Sequence, residues 1–263
     1  MTTSPRPTVV VTGASSGIGR EIARRLAQQG HDVVLVARRE ERLRELADEL
    51  EGAHDIRASV VVADLGEPDG PARVVEEVDA LGITVGGLVN AAGVGTAGPF
   101  AREDAALLAR ELAVDVVAPT ILTNLLLPRL LEAPGGLLLN VSSTAGHQPV
   151  PNVATYAASK AYLSSLTASI WQETRGSGLT VVGLCPGPVA TEFFEAAGSE
   201  RFKVGTVSGI GPVVDAAYAA IDRRRGPLVT VGLANRVQSL GSRLAPLRLT
   251  LAVAHRQTRR PGD

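Results

Sequence analysis

The sequence is poor in several residue types that mark particular classes of protein. Its 263 residues include one cysteine, one tryptophan and one methionine, and aromatic residues make up 3% of the chain. A single cysteine, Cys185, excludes a disulfide within the chain and predicts a cytoplasmic protein with a buried packing thiol. No stretch offers the roughly 18 uncharged apolar residues of a membrane-spanning helix. No apolar run follows a basic start, so we expect no secretory signal peptide.

An excess of charge of one sign is also missing. The formal net charge is −1, which gives no indication of a nucleic-acid partner. No cluster of residues predicts a metal site. What the chain does have is apolar content of 45% with 20% charged residues, enough for a large core in one α/β domain.

Short apolar runs alternate with helical patterns along the chain, which predicts a doubly wound parallel sheet of the α/β class. We expect strands near residues 8–12, 32–37, 57–62, 85–90, 136–141, 179–184 and 228–231. Residues 1–7 are expected to be flexible, 8–232 to form one domain, 233–256 a helical extension, and 257–263 a flexible tail.

The first strand leads into a glycine-rich turn. The run TVVVT ends at Thr12, Gly13, Gly17 and Gly19 follow, and a helical pattern begins there. Free N–H groups and the helix dipole at such a start attract a phosphate. The spacing G-x-x-x-G-x-G differs from the more familiar G-x-G-x-x-G, but the flanking strand and helix predict a dinucleotide site.

The end of the second strand predicts which dinucleotide binds. Ala37 stands where an acidic residue would hold a ribose 2′-hydroxyl, and Arg38 and Arg39 follow it. This favours NADP(H) over NAD(H), with Arg38 on the 2′-phosphate, Ser15 adding a hydroxyl and Arg39 flanking them. The alternative is that both arginines belong to the charged surface of the next helix, Glu40 to Glu51.

Tyr156 and Lys160 lie four residues apart in the stretch PNVATYAASKAY. On a helix they share one face, and the ammonium is expected to lower the pKa of the phenol, which suits proton transfer. Taken alone, the pair also fits an ordinary helix surface. A further candidate is Ser142 or Ser143, at the end of the strand near 136–141, where either could hold a substrate carbonyl or simply cap a turn.

Together these motifs resemble the short-chain dehydrogenase/reductase family. The matches are TGASSGIG from Thr12, Asp64-Leu65, NAAG from Asn90, Ser143 thirteen residues before Tyr156, YAASK from Tyr156 and PGPVAT from Pro186. The resemblance implies a Rossmann-type sheet in the order 3-2-1-4-5-6-7 and reversible hydride transfer between a nicotinamide and a carbonyl or secondary alcohol.

The resemblance also implies roles for the matching positions. Tyr156 is the acid/base, Lys160 binds the nicotinamide ribose, and Ser143 rather than Ser142 is the catalytic serine. The remaining expected cofactor contacts are Gly13, Ser15, Ser16, Gly17, Ile18, Gly19, Asp64, Leu65, Asn90, Ala91, Gly93, Pro186, Gly187, Val189 and Thr191.

One position departs from the family pattern. Asp115 stands where the family usually carries an asparagine that holds a water beside the catalytic lysine. We group Asp115 with the catalytic residues and expect it to replace the asparagine mainly by shape, although its charge puts the proton relay in doubt.

Three other features concern partners. The helices that contain Asp115 and Tyr156 are expected to pair in a homodimer or homotetramer, as in the family. Phe100, Phe193, Phe194 and Phe202 fall in segments that predict a lipophilic substrate pocket. Between Asp222 and Asp263 the chain has no acidic residue, and apolar residues, mostly leucine, recur at three- or four-residue steps with a break near Pro246. We expect this basic amphipathic segment to pack as a lid or subunit clasp rather than on an anionic membrane.

Two functions therefore remain open. The first is an NADP-dependent ketone reductase or alcohol dehydrogenase acting on a lipophilic or secondary-metabolite substrate. The second is a cofactor-binding sensor or assembly protein with little turnover, for which Asp115 is the one indication.

Overall fold

The computed structural model describes residues 7–224 and 226–259. Its centre is a parallel seven-stranded sheet in the order β3-β2-β1-β4-β5-β6-β7, which confirms the expected Rossmann-type topology. The strands are β1 (Thr8–Thr12), β2 (Val33–Ala37), β3 (Ala58–Val62), β4 (Val85–Asn90), β5 (Leu137–Val141), β6 (Thr180–Cys185) and β7 (Leu228–Thr230). Each differs from its expected bounds by no more than a residue at either end.

Helices cover both faces of the sheet. They are α1 (Gly17–Gln28), α2 (Glu40–Ala53), α3 (Gly70–Ala80), α4 (Ala105–Leu112), α5 (Ala118–Glu132), α6 (Ala154–Glu173), α7 (Phe193–Ala196), α8 (Ile210–Asp222), α9 (Leu233–Leu244) and α10 (Leu247–Thr258). A π-helical turn over Ala113–Val117 joins α4 to α5. Such wide turns shift the following side chains around the helix axis and are frequent at functional sites.

The sheet separates two apolar cores. Side chains of α1, α2 and α8 pack on one face, represented by Leu26, Leu46 and Val214. Side chains of α3, α5 and α6 pack on the other face, represented by Val78 and Leu126. Burial of the central strands on both faces explains why the β-strand segments are rich in Val and Leu.

The strand order reverses between β1 and β4, and ligands of such sheets bind beyond the strand ends at this point. Thr12, the last residue of β1, joins the two strand ends. Its Oγ1 donates to Val89 O at 3.3 Å and accepts from the N–H groups of Ala91 and Ala92, both at 3.1 Å. The glycine turn after β1 and the NAAG segment after β4 are thereby fixed side by side.

The C-terminal extension forms two helices with the predicted break, because Pro246 stands between α9 and α10. The domain of the same chain does not cover the leucines of α9. Leu233, Leu240 and Leu244 of α9 are 76%, 60% and 78% exposed. α10 continues to Thr258, two residues past the expected end of the extension, and Thr258 is fully buried. The expected flexible segments fall, apart from Pro7, Gln257, Thr258 and Arg259, outside the described residues.

Candidate active site

The glycine turn has the shape of a phosphate cradle. Gly13 has a φ of +69°, and a Cβ there would lie 2.8 Å from Ala92 N. A Cβ on Gly19 would lie 2.6 Å from Gly13 O, so only glycine lets α1 approach the turn this closely. Ser16, which precedes α1, forms no side-chain cap, and the first N–H groups of the helix remain open to the cleft. These features fit the pyrophosphate of a dinucleotide.

At one end of the cleft, Asp64 forms an ion pair with Arg110, a residue outside the sequence motifs. Arg110 Nη2 donates to both Asp64 oxygens, at 2.9 and 2.6 Å. Burial raises the pKa of Asp64, but its bonds with Arg110 and Gly66 N–H, helped by the charge of Arg38, outweigh this effect and lower it. Arg110 lies on α4, far from Asp64 in the chain, so local motifs do not reveal the contact.

The two arginines after β2 have different surroundings. Both border the cleft and are exposed. Arg39 donates to Ser15 Oγ through Nε and Nη2, at 3.2 and 3.0 Å, and to Glu192 Oε2 at 2.7 Å. Arg42 also donates to Glu192, at 2.5 Å. Glu192 precedes α7 on the opposite wall, so these ion pairs connect the two sides of the cleft.

At the other end of the cleft, Ser143, Tyr156 and Lys160 lie together. Ser143 precedes a short 3₁₀ helix and Tyr156 lies on α6, and Lys160 Nζ is 5.5 Å from the centroid of the Tyr156 ring. Ser142 points elsewhere: its hydroxyl donates to Lys160 O at 2.8 Å and meets Ser164 Oγ at 2.8 Å, both in the interior. Of the two candidate serines, Ser143 is thus the one whose hydroxyl remains beside the phenol.

The electrostatics of Tyr156 differ from the sequence-based expectation. Burial raises the pKa of the phenol, and the Asp115 and Glu111 carboxylates raise it further. Lys160 and the Ser143 hydroxyl lower it, but less than the other effects raise it. Lys160 thus lowers the pKa of the phenol, as expected, but burial and the carboxylates outweigh the ammonium and the net shift is upward.

Asp115 lies behind Lys160 rather than in the cleft itself. Asp115 Oδ2 is 2.8 Å from Lys160 Nζ, and the two side chains are 0% and 5% exposed. Burial alone would lower the pKa of Lys160, but the Asp115 carboxylate and the Tyr156 phenol more than offset it and raise the pKa. The substituted position thus makes a direct ion pair with the predicted catalytic lysine.

A second buried carboxylate, Glu111, lies one helical turn before Asp115. Its Oε2 accepts from Thr96 N at 2.8 Å and Thr96 Oγ1 at 2.6 Å, and so holds the loop that follows NAAG. The pKa of Glu111 is raised to about 7, mainly because the carboxyl group is buried. The two bonds from Thr96 lower this pKa, and the charges of Asp115 and Glu103 raise it further. Sequence reasoning missed Glu111, because nothing in a helical pattern marks one glutamate as buried.

Aromatic side chains cover the space in front of Tyr156. The ring centroids of Phe193 and Phe202 lie 5.5 and 5.1 Å from that of Tyr156 and 5.1 Å from each other. Phe194 also lines the cleft. Phe100 does not: it is 64% exposed, so its expected place in the pocket is wrong. Val150, Val153 and Val204 complete this apolar end.

The structure gathers most of the predicted site in one cleft of about 430 Å³. Besides Asp115, two predicted contacts do not line it. Asn90 turns inward, where it donates to Thr123 Oγ1 and Asn140 Oδ1 at 3.1 and 2.8 Å. Gly19 packs behind Gly13. The predicted residues that do line the cleft are Gly13, Ser15, Ser16, Gly17, Ile18, Arg38, Arg39, Asp64, Leu65, Ala91, Gly93, Ser143, Tyr156, Lys160, Pro186, Gly187, Val189 and Thr191.

Cys185 is fully buried, and burial raises the pKa of its thiol to about 11, which agrees with a packing role.

Comparison with known proteins relates this cleft to a large family. Residues 7–201 match the family model described as short chain dehydrogenase. A short chain dehydrogenase of Pseudocercospora fijiensis is 37% identical over 187 residues, which are 70% of this chain and 60% of that protein. The match thus covers less than two thirds of that relative's length.

Two solved structures are similar over nearly the whole chain. A short-chain dehydrogenase from Sphingobium yanoikuyae in complex with NADPH is 30% identical, with a TM-score of 0.80 and coverage of 98% of both chains. The bulky-bulky ketone specific alcohol dehydrogenase from Comamonas testosteroni is 26% identical, with a TM-score of 0.77 and coverage of 99% of this chain and 97% of that one. Motifs, topology and the match over residues 7–201 agree, and the chain belongs to the short chain dehydrogenase family.

Proposed function

We propose that this chain is an NADP(H)-dependent oxidoreductase that interconverts a ketone and a secondary alcohol. The observation that carries the proposal is the meeting of two sites in one cleft. The glycine cradle before α1 lies at one end, and Ser143, Tyr156 and Lys160 lie at the other. The activity of the relatives described above supports the same class of reaction.

In this proposal each side chain at the catalytic end has one task. Ser143 donates a hydrogen bond to the substrate carbonyl oxygen, and Tyr156 gives that oxygen its proton. Lys160 holds the nicotinamide ribose, and Gly93 leaves it room, since a Cβ there would lie 3.2 Å from Lys160 Nζ. A bound reduced nicotinamide supplies the hydride that reaches the carbonyl carbon. The carbonyl π bond is thus replaced by a C–H and an O–H bond, and the reverse reaction returns both hydrogens.

The preference for NADP(H) rests on the end of β2. Ala37 offers no carboxylate to a ribose hydroxyl, while Arg38, Arg39 and Ser15 line that part of the cleft. Guanidinium groups bind phosphate through charge-assisted bonds. Arg39 holds the Ser15 hydroxyl beside this position, and we propose Arg38 as the contact to the 2′-phosphate with Arg39 flanking it. The NADPH complex of the Sphingobium relative supports this preference.

A lipophilic substrate fits the other end. Phe193, Phe202 and Val204 line the cleft beside Tyr156. Such a surface gains free energy by covering apolar groups at roughly 25 cal/mol per Å² and offers little to a charged substrate. We therefore propose a ketone with a large apolar substituent, of the lipophilic or secondary-metabolite kind.

We also propose self-association in the cytoplasm. Val117 at the end of the π-helical turn and Ile121 and Leu125 of α5 are 48%, 40% and 41% exposed, and Tyr162 of α6 is 41% exposed. Tyr162 is joined to Thr120 by a 3.1 Å hydrogen bond, which makes the patch continuous across the two helices. Among the described residues, no helix is long and apolar enough to cross a membrane.

The test is NADPH oxidation by the purified chain with a panel of bulky ketones, followed by product analysis. We expect turnover of at least one apolar ketone, faster with NADPH than with NADH. Tight NADPH binding without turnover of any ketone or alcohol would instead support a cofactor-binding sensor.

A further inference from the structure

Three ionisable side chains come together between α4, the π-helical turn and α6. Asp115 lies on the turn, with Oδ2 2.8 Å from Lys160 Nζ of α6, and Glu111 lies one helical turn earlier. All three are nearly or fully buried. Two of them have no role in the catalytic steps proposed above.

The ionisation of Asp115 follows from its contacts. Val94 N–H donates to Oδ1 at 2.9 Å, and the Lys160 ammonium faces Oδ2. Burial raises the pKa of Asp115 above its ordinary value, and the Lys160 ammonium and the Val94 N–H oppose this effect without cancelling it. The two contacts, 2.8 Å from Lys160 Nζ to Oδ2 and 2.9 Å from Val94 N to Oδ1, stabilise the carboxylate, which is the form that the proposal below requires. An asparagine, the residue that the family resemblance leads one to expect here, would bring no charge to this contact.

We propose that Asp115 is a positioning residue that holds the Lys160 ammonium and cancels much of its charge, so that Tyr156 stays in the protonated form that donates to a carbonyl. The inference rests on the proposed function, since it concerns the direction of proton transfer at the same site. It assigns the substitution an electrostatic role rather than the mainly steric one expected from sequence.

The charges around Tyr156 agree with this role. Lys160 on α6 favours the phenolate, and the Ser143 hydroxyl does so more weakly. Asp115 on the π-helical turn and Glu111 on α4 favour the neutral phenol, Asp115 more strongly than Glu111. With the ammonium paired to a carboxylate at 2.8 Å, the net charge facing the phenol is small or negative.

The consequence is a specific pH dependence. Carbonyl reduction needs the phenol, so its kcat/KM should be constant at neutral pH and fall only in alkaline solution. Alcohol oxidation needs the phenolate, so its kcat/KM should rise with pH over the same range. Removing the Asp115 charge should move both curves to lower pH, because the ammonium would then act on the phenol unopposed.

The experiment compares Asp115→Asn with Glu111→Gln. Both changes are isosteric and remove one buried carboxylate, but only the first removes the contact with Lys160. For Asp115→Asn we expect both pH profiles to shift to lower pH, with oxidation at pH 7 faster by roughly threefold to tenfold in kcat/KM. Glu111→Gln should shift them in the same direction by less. Asp115→Ser, which also removes the charge, should move them as Asp115→Asn does.

A second readout does not depend on turnover. Tyrosinate absorbance is followed against pH in each variant, and the signal of the same variant with Tyr156→Phe is subtracted. The Tyr156 transition should lie at lower pH in Asp115→Asn than in the wild type. An unchanged or higher transition would overturn the inference even if the enzyme reduces ketones. Equal shifts in Asp115→Asn and Glu111→Gln would also overturn it, whereas a lack of turnover with the expected shift would count against the proposed function alone.

Discussion

Single positions in the cleft carry most of the chemistry. Arg39 donates a hydrogen bond to the Ser15 hydroxyl, the Lys160 ammonium forms an ion pair with Asp115, and Arg110 donates to Asp64. Each contact joins residues of two different elements. The binding and proton-transfer groups are therefore held by side chains that the surrounding fold brings in from elsewhere in the chain.

The first prediction concerns the two arginines after β2. Arg38→Ala and Arg39→Ala are expected to weaken NADPH binding, since each loses a charge-assisted contact to phosphate of roughly 1.5–3 kcal/mol, and to leave NADH binding nearly unchanged. Dissociation constants for both cofactors measure this. Arg42→Ala is the control, because Arg42 shares Glu192 with Arg39 but does not contact Ser15. If the wild type binds NADH more tightly than NADPH, the interpretation of this strand end is wrong.

The second prediction concerns the glycine cradle. Gly19→Ala would place a Cβ 2.6 Å from the backbone oxygen of Gly13, so it should destabilise the protein by roughly 1–3 kcal/mol and weaken cofactor binding. Gly52→Ala on α2 is the matched control: nothing lies within 4 Å of its Cβ, and stability should be unchanged or higher. Thermal unfolding of the two variants compares them, and equal melting temperatures would contradict the close-packing argument.

Local motifs in the sequence were enough to predict some of these positions. The glycine turn, Tyr156 and Lys160 are defined by spacing within one or two turns, and the structure brings Gly13, Gly17, Tyr156 and Lys160 to the cleft, with Gly19 packed behind Gly13. The inward direction of Asn90 and the ion pair of Asp115 could not be predicted in this way. They depend on which side chain of another element lies opposite, which no local pattern specifies.

The helices and loops around the cleft decide its shape. The π-helical turn brings Asp115 to Lys160, and α7 brings Phe193 to Tyr156. The strands were predictable to within a residue at each end because their apolar runs are bounded by turns and buried on both faces. The C-terminal helices and their break at Pro246 were also predictable, but not which of their faces would meet the domain.

The face that meets the domain is small and polar rather than leucine-rich. Thr258 Oγ1 donates to Pro151 O at 2.8 Å, just before the helix that carries Tyr156. Ala254 and Gln257 of α10 and Asn235 of α9 line the cleft. In α9 and α10, leucines and small or polar residues both recur at helical spacing, so the sequence pattern does not show which face packs on the domain. Only the tertiary contacts show this.

The third prediction follows from this packing. Thr258→Val keeps the shape but loses the bond to Pro151, so we expect a higher KM for the ketone and a wider substrate range. Deleting residues 233–263 should enlarge both effects and lower the melting temperature. Leu240→Gln, on the exposed side of α9, is the control and should leave the substrate range unchanged. Binding to anionic vesicles that is lost on deletion, with activity unchanged, would instead identify the segment as a membrane contact.

Taken as a unit, the described residues form a seven-stranded sheet, two apolar cores and a cleft that holds both predicted sites. Among the described residues, exposed apolar side chains are concentrated in two patches: one on α4, the π-helical turn and α5 with Tyr162, and one on α9 and α10. The family resemblance leads us to assign the first patch to a subunit contact.

The fourth prediction is an oligomer formed through α5 and α6. Sedimentation at micromolar concentration should give a dimer or tetramer, since these apolar side chains gain free energy when covered. Ile121→Arg should shift the distribution towards monomer by burying an unpaired charge in the interface. Leu240→Arg, on the other patch, is the control and should not. A wild-type protein that sediments only as a monomer would contradict this assignment.

The central claim is hydride transfer to a carbonyl with Tyr156 as proton donor, and one measurement tests it most directly. NADPH that carries deuterium at the transferred position of C4 is mixed with the enzyme and a bulky ketone in a single turnover, and the product alcohol is analysed. The account predicts deuterium on the carbinol carbon with the wild type, and none above background with Tyr156→Phe, although that variant still binds NADPH. Product without deuterium, or turnover by Tyr156→Phe within a few-fold of the wild type, would contradict it.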